Sequence, residues 1–229
     1  MEKNKARRIM GVLGAGIALV MFLVFGSTAR EPVAESQGSN GTGELAIVAL
    51  EKLDVKGRAP KTGYKREEFY SSWGKIGNCD MRNVILKRDL WDVELDGCIV
   101  ITGTLNDPYT GKLVNFVRGP GTSSQVQIDH VVAISDAWQK GAQGISSDDR
   151  YALSQDPLNL LAVDGPTNQA KGDSDAASWL PPNTLFRCEY VARQIAVKLK
   201  YSLWVTEAEK GAMSKVLQKC PEERLIVEL

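Results

Sequence analysis

A single histidine, His130, stands directly after a carboxylate, Asp129, and is followed by Asn159, Asn168 and Lys171. Together these side chains suit hydrolysis of a phosphodiester. The reaction needs a base to deprotonate water and a cation to offset charge on the phosphorane and the leaving 3′ oxygen. His130 is the one side chain here that titrates near neutral pH, so it is the candidate base. Asp129 and Asn168 offer hard oxygen ligands suited to Mg²⁺, which keeps most of its waters and accepts few protein ligands. Lys171 could hold a non-bridging phosphate oxygen as a point charge. A lone histidine also excludes an HExxH protease, a two-histidine metal centre and a His-rich zinc cage.

These groups need short segments that converge. Residues 125–130 alternate polar and apolar side chains, which predicts a strand ending at His130. Residues 159–163 predict a second short strand with Asn159 at its entry. Gly165-Pro166-Thr167-Asn168 then reads as a turn into a helix, with Pro166 in the first turn and Asn168 and Lys171 three apart on one face. Between the two strands the pattern predicts a short helix over 135–140 and a loop to Asp156, and it leaves the strand pairing open. Upstream, the β-rich runs 98–105 and 112–117 flank Asp107-Pro108-Tyr109-Thr110-Gly111, which is hairpin-turn chemistry.

Helices are expected at both ends. Leu45, Val48, Ala49 and Leu53 recur at helical spacing, as do Cys188, Val191, Ala192, Ile195 and Leu199. Thr206 and Glu209 have capping-box spacing for a last helix to about Lys219. Strands in the middle and helices at the ends predict an α+β domain. Lys56, Arg58, Lys61, Lys65 and Arg66 form a basic strip suited to a solvated loop or to phosphate contact. Arg187, Arg193, Lys198 and Lys200 give the C-terminal helix a basic side, while Asp173 and Asp175 read as a solvated helix end.

Lys3, Lys5, Arg7 and Arg8 precede an apolar run over residues 9–25, and small residues at Ser27 and Ala29 suit cleavage. This is the layout of a signal peptide over 1–29, or of a signal anchor on the outer face of the cytoplasmic membrane if uncleaved. A Pro-, Gly- and Ser-bearing linker over 30–43 follows. Removing four basic residues and one acid from 28 of each leaves 24 and 27, a net charge of −3. Bulk charge therefore excludes a protein that wraps nucleic acid by electrostatics alone. Four cysteines in an exported chain predict two disulfides with three possible connectivities. Cys79–Cys98 with Cys188–Cys220 is favoured because each bond then closes one contiguous subregion.

On these residues the chain resembles HNH endonucleases of the His-Me finger, or ββα-metal, type. More narrowly, it resembles secreted bacterial proteins with the C-terminal domain of GmrSD-type restriction enzymes. His130 matches the family's first position, Asn159 the central asparagine that sets loop geometry, and Asn168 the third position. Asn168-Gln-Ala-Lys171-Gly172 is similar to the family's N-x-x-K-G ending. Cys79-Asp80-Met81-Arg82-Asn83, Trp179-Leu-Pro-Pro-Asn183 and Lys200-Tyr-Ser-Leu-Trp-Val-Thr206 extend the likeness over nearly all of 45–229. The resemblance implies a nuclease domain over 45–229 with its motif core at 125–172. It also implies a ββα-metal core with an added β-hairpin and flanking helices. Its catalytic set would be His130, Asn159 and Lys171, with one divalent metal on Asp129 and Asn168. An asparagine where the family often has a histidine ligand favours Mg²⁺ or Mn²⁺ over softer ions. The implied substrate is DNA ahead of RNA, with little sequence preference, and no stable protein partner is implied. A ribonuclease on the same site and a non-catalytic exported binding protein on the same scaffold are the alternatives.

Overall fold

The computed structural model describes residues 43–226. The expected export segment 1–29 and the linker through residue 42 lie outside the described residues. A short helix α1 (Ala46–Leu50) leads to β1 (Lys75–Ile76), β2 (Cys79–Asp80) and α2 (Met81–Asp89). Next comes an antiparallel meander of β3 (Leu90–Asp96), β4 (Ile99–Asn106) and β5 (Leu113–Val117). The centre holds β6 (Val126–His130), α3 (Ile134–Gln139), α4 (Ser147–Gln155), β7 (Leu160–Asp164) and α5 (Gly165–Lys171). The chain closes with α6 (Arg187–Lys200) and α7 (Glu207–Leu217). The fold is α+β, and both favoured disulfides, Cys79–Cys98 and Cys188–Cys220, are formed.

The expected hairpin is β4–β5, with Asn106 opposite Leu113 and Thr102 opposite Val117. Asp107 builds its turn by accepting hydrogen bonds from the Thr110 amide at 2.8 Å and the Thr110 hydroxyl at 2.6 Å. Gly111 closes it at φ +72°, where a side chain would be strained. Asp107 also accepts from the Asp164 amide at 2.9 Å, which fastens the hairpin tip to the end of β7.

Strands β6 and β7 pair antiparallel, with His130 opposite Leu160 and Val126 opposite Asp164. The pair is a wall between two cores. Alternation sends Leu160 and Ala162 toward Met81, Ile85, Leu86 and Phe116, beside α2 and the meander. Leu161 and Val163 pack instead with Tyr190, Val191, Ile195 and Met213 of the helical side. Full burial of a Leu or Val contributes ~1.5–3 kcal/mol, so a one-residue slip of β7 would forfeit contacts on both faces. At the start of α5, Gly165 lies so close to the chain that a Cβ would meet the Ser124 carbonyl oxygen at 2.1 Å.

Two elements depart from the sequence expectation. Helix α2 buries Met81, Ile85 and Leu86, while its long polar side chains bond to backbone across the fold. Arg88 donates to the Pro157 and Leu160 carbonyls, and Arg82 to those of Ser123 and Val126. The stretch expected as a loop to Asp156 contains helix α4. Ser146 caps it by accepting from the Asp149 amide at 3.0 Å, and Asp148 and Asp149 complement its N-terminal dipole.

Candidate functional site

Helix α5 lies across the face of β6 that carries Gln127 and Asp129. Asn168 Nδ2 donates to Gln127 Oε1 at 2.9 Å, and Lys171 Nζ donates to Asp129 Oδ1 at 2.9 Å. Positions three apart on the helix thus meet positions two apart on the strand. A cleft of about 380 Å³ opens beside this junction. It brings together Asp129, His130 and Asn168 with Lys61, Arg66 and Asp173.

His130 ends β6 and is 5% exposed. Its Nε2 lies 2.9 Å from the carbonyl oxygen of Ser154 in α4. A carbonyl only accepts, so Nε2 carries the proton and Nδ1 is the free lone pair. Trp73 stacks on the ring at a centroid distance of 6.0 Å and 10° between planes, and Tyr70 tilts against it at 5.7 Å. Trp73 is held in turn by α4, since Gln155 Oε1 accepts from the Gly74 amide at 2.7 Å. Burial lowers the His130 pKa to about 4; the Ser154 bond opposes this, and Arg66 and Lys171 add smaller downward pushes. The imidazole is therefore neutral at pH 7 and available to take a proton.

Asn159 is fully buried and binds backbone on both sides. Its Oδ1 accepts from the Val132 amide at 2.8 Å, and its Nδ2 donates to the Val132 and Leu153 carbonyls, each at 3.3 Å. It thereby ties the chain leaving His130 to the end of α4. Lys171 is 1% exposed, and its ammonium donates to Asp129 and to the His130 carbonyl at 2.9 Å. It does not line the cleft, and its ammonium is taken up by these two acceptors.

Asp129 accepts at its other oxygen, Oδ2, from the hydroxyl of Tyr109. Burial pushes its pKa above the ordinary carboxylate value, and Lys171 and Tyr109 offset this only in part. Asp129 and Asn168 are two hard oxygen donors at the cleft that could hold a divalent cation. A carboxylate has about four lone-pair sites, so Asp129 keeps capacity beyond its two bonds. Asn168 Oδ1 has no hydrogen-bond partner among the described residues. Neither sulfur nor a second imidazole is near, and no group of three or more His, Cys, Asp or Glu suited to a metal exists among the described residues. Such a site suits an ion that keeps several waters, as Mg²⁺ does.

The two basic regions have separate fates. Lys61 and Arg66 line the cleft. Arg66 touches Tyr70 without a carboxylate partner among the described residues, while Lys61 reaches Asp173 at 3.1 Å. Arg58, from the same strip, enters a buried charge cluster. There Lys140 Nζ meets Asp136, Asp175 and Glu209 at 2.9, 2.7 and 2.6 Å. Arg58 covers Asp136 and Asp175 at 3.1 and 2.7 Å, and Lys198 covers Glu209 at 3.0 Å. Three cations balance three carboxylates. Lys198 and Arg193 are thus buried and paired, and Lys200 binds Asp156 at 2.6 Å. Of the expected basic face of the C-terminal helix, Arg193 and Lys198 are turned inward, while Arg187 is half-buried and Lys200 exposed. Asp175 is likewise buried in this cluster, whereas Asp173 is exposed at the cleft.

Tyr109, Ser154, Trp73 and the buried cluster escaped sequence reading. Only Tyr109 carried a signal, as a large aromatic inside a tight turn.

With this geometry in view, the family relationship is direct. Residues 80–216 match the family described as GmrSD restriction endonucleases, C-terminal domain, and the chain belongs to that family. The match suggests a nuclease-like function and implies a nucleic-acid substrate. The chain is also 38% identical over 175 residues to a protein described as an uncharacterized secreted protein of Arthroderma benhamiae. The aligned region covers 75% of this chain and 82% of that relative.

Proposed function

We propose that the protein is an exported, HNH-type endonuclease that hydrolyses phosphodiester bonds of DNA with little sequence preference. The observation that carries this reading is the His130–Ser154 bond. It leaves Nδ1 unprotonated on a residue that lines a cleft with two oxygen donors and two basic side chains. In the proposed reaction Nδ1 accepts a proton from water, the water oxygen attacks phosphorus, and the bond to the 3′ oxygen breaks, that oxygen taking a proton from solvent to leave as a 3′ hydroxyl. The product is a 5′-phosphate, as the HNH resemblance implies. Asp129 and Asn168 Oδ1 would hold one Mg²⁺ or Mn²⁺. When bound, that ion supplies charge stabilisation at the phosphate and leaving oxygen. Arg66 and Lys61, which line the same cleft, would engage the phosphate. Lys171 would act as a positioning residue, because its ammonium is committed to Asp129 and the His130 carbonyl. The secreted relative supports export.

A plasmid-nicking assay with Mg²⁺ or Mn²⁺ tests the reading, with RNA incubated alongside. His130→Ala should abolish nicking while its melting transition persists. Full activity in that variant would end the proposal, and cleavage of RNA alone would redirect it to a ribonuclease.

A further inference from the structure

The hairpin turn at 107–111 does more than reverse the chain. Tyr109 is fully buried, and its ring sits edge-on against Trp179 at 5.0 Å and Tyr190 at 5.8 Å. Its backbone carbonyl accepts from the Asn183 amide at 2.9 Å, and Asp107 fastens the turn to Asp164. Ring, backbone and turn are thus fixed independently, and together they aim the hydroxyl at Asp129 Oδ2. Lys171 holds the other oxygen from α5. The carboxylate is thus gripped from two elements, the hairpin turn and α5.

We propose that Tyr109 is a positioning residue for metal binding, locking the Asp129 carboxylate in the orientation that leaves its remaining lone pairs facing the cleft. This inference rests on Asp129 being a metal ligand. A core tyrosine that merely needed a partner would have the same burial, so the test must separate orientation from packing. Tyr190 supplies the comparison. It is equally buried in the same aromatic cluster, but its hydroxyl accepts from Gln194 at 3.1 Å and does not touch Asp129.

The experiment is Mn²⁺ binding to the full chain by titration calorimetry, with free Mn²⁺ followed by electron paramagnetic resonance. Tyr109→Phe should weaken Mn²⁺ binding about 10–100-fold, the range typical of losing a partner that orients a metal ligand. Tyr190→Phe should leave it within about twofold of the parent, and Asp129→Asn should abolish it. Tyr109→Met, which lacks both hydroxyl and ring, serves as a second variant if Tyr109→Phe melts early. Unchanged Mn²⁺ affinity in a folded Tyr109 variant would overturn the inference, as would equal losses in the Tyr109 and Tyr190 variants. Asp129→Asn binding Mn²⁺ like the parent would instead remove the premise, and the inference would fall with it.

Discussion

Lys140 is the sharpest point at which to perturb this fold, because its ammonium is fully buried and three carboxylates converge on it at 2.6–2.9 Å. Lys140→Met keeps the apolar stem and deletes the charge. It turns a balanced cluster of three cations and three anions into one with a net buried negative charge. Breaking a buried ion pair from one side costs about 3–5 kcal/mol. Here Arg58 and Lys198 still cover the carboxylates, so the lower end applies, about 3 kcal/mol. For a domain of this size that is a fall of roughly 6–12 °C in Tm. The assay is urea and thermal unfolding at pH 7 and pH 3, with both disulfides intact. Burial works against ionised Asp175, yet Lys140, Ser178 and Arg58 together hold it well below the usual carboxylate range. Its contribution is present above the unfolded value of ~4 and is lost as pH falls through the folded one. The gap between parent and variant should therefore be widest at neutral pH and narrow toward pH 3. A loss under about 1 kcal/mol at pH 7, or a gap that widens in acid, would refute this account of the cluster.

Three further outcomes follow from the site. His130 is neutral in the fold down to about pH 4, whereas unfolded histidine binds a proton below ~6.5. Lowering pH from 7.5 to 4.5 should therefore cost roughly 2–3 kcal/mol through this group, and urea unfolding of His130→Ala should lack that slope. Asn159→Ala leaves the Val132 amide and two carbonyls without partners in a dry interior. It should lose about 2–4 kcal/mol in urea unfolding, with nicking reduced further than the folded fraction alone explains. Arg66→Ala should raise the KM for DNA and flatten the dependence of log K on log[salt] by about one unit, read by binding titrations at several salt concentrations. An unchanged salt slope would show that Arg66 does not meet phosphate.

Much of the candidate site was legible from residues alone. The Asp129–His130 adjacency, the strand-like alternation before it and the Pro166 helix start are local patterns, and each formed where its period or turn chemistry placed it. The β4–β5 hairpin followed from Asp107 and Gly111 for the same reason. Helix α4 was hidden because its exposed face is polar and its few buried residues, Leu153 to Gln155, lie at its end. Helix α2 was hidden because arginines paired to distant carbonyls interrupt the spacing of its buried Met81, Ile85 and Leu86.

By itself, then, the sequence pointed to the α+β class, to Asp129, His130 and Asn168 as candidate site residues, and to the cysteine pairing it favoured among three. These depend on neighbours along the chain. Only the tertiary structure decided which imidazole nitrogen is free, since the Ser154 carbonyl lies 24 residues from His130. It alone committed Lys171 to Asp129 and brought Tyr109 to that carboxylate from a hairpin turn. It also divided one basic strip between a solvated cleft and a buried ion cluster. Those outcomes turn on which charge or hydroxyl finds a partner across the fold, and hydrophobic periodicity carries no record of such pairings.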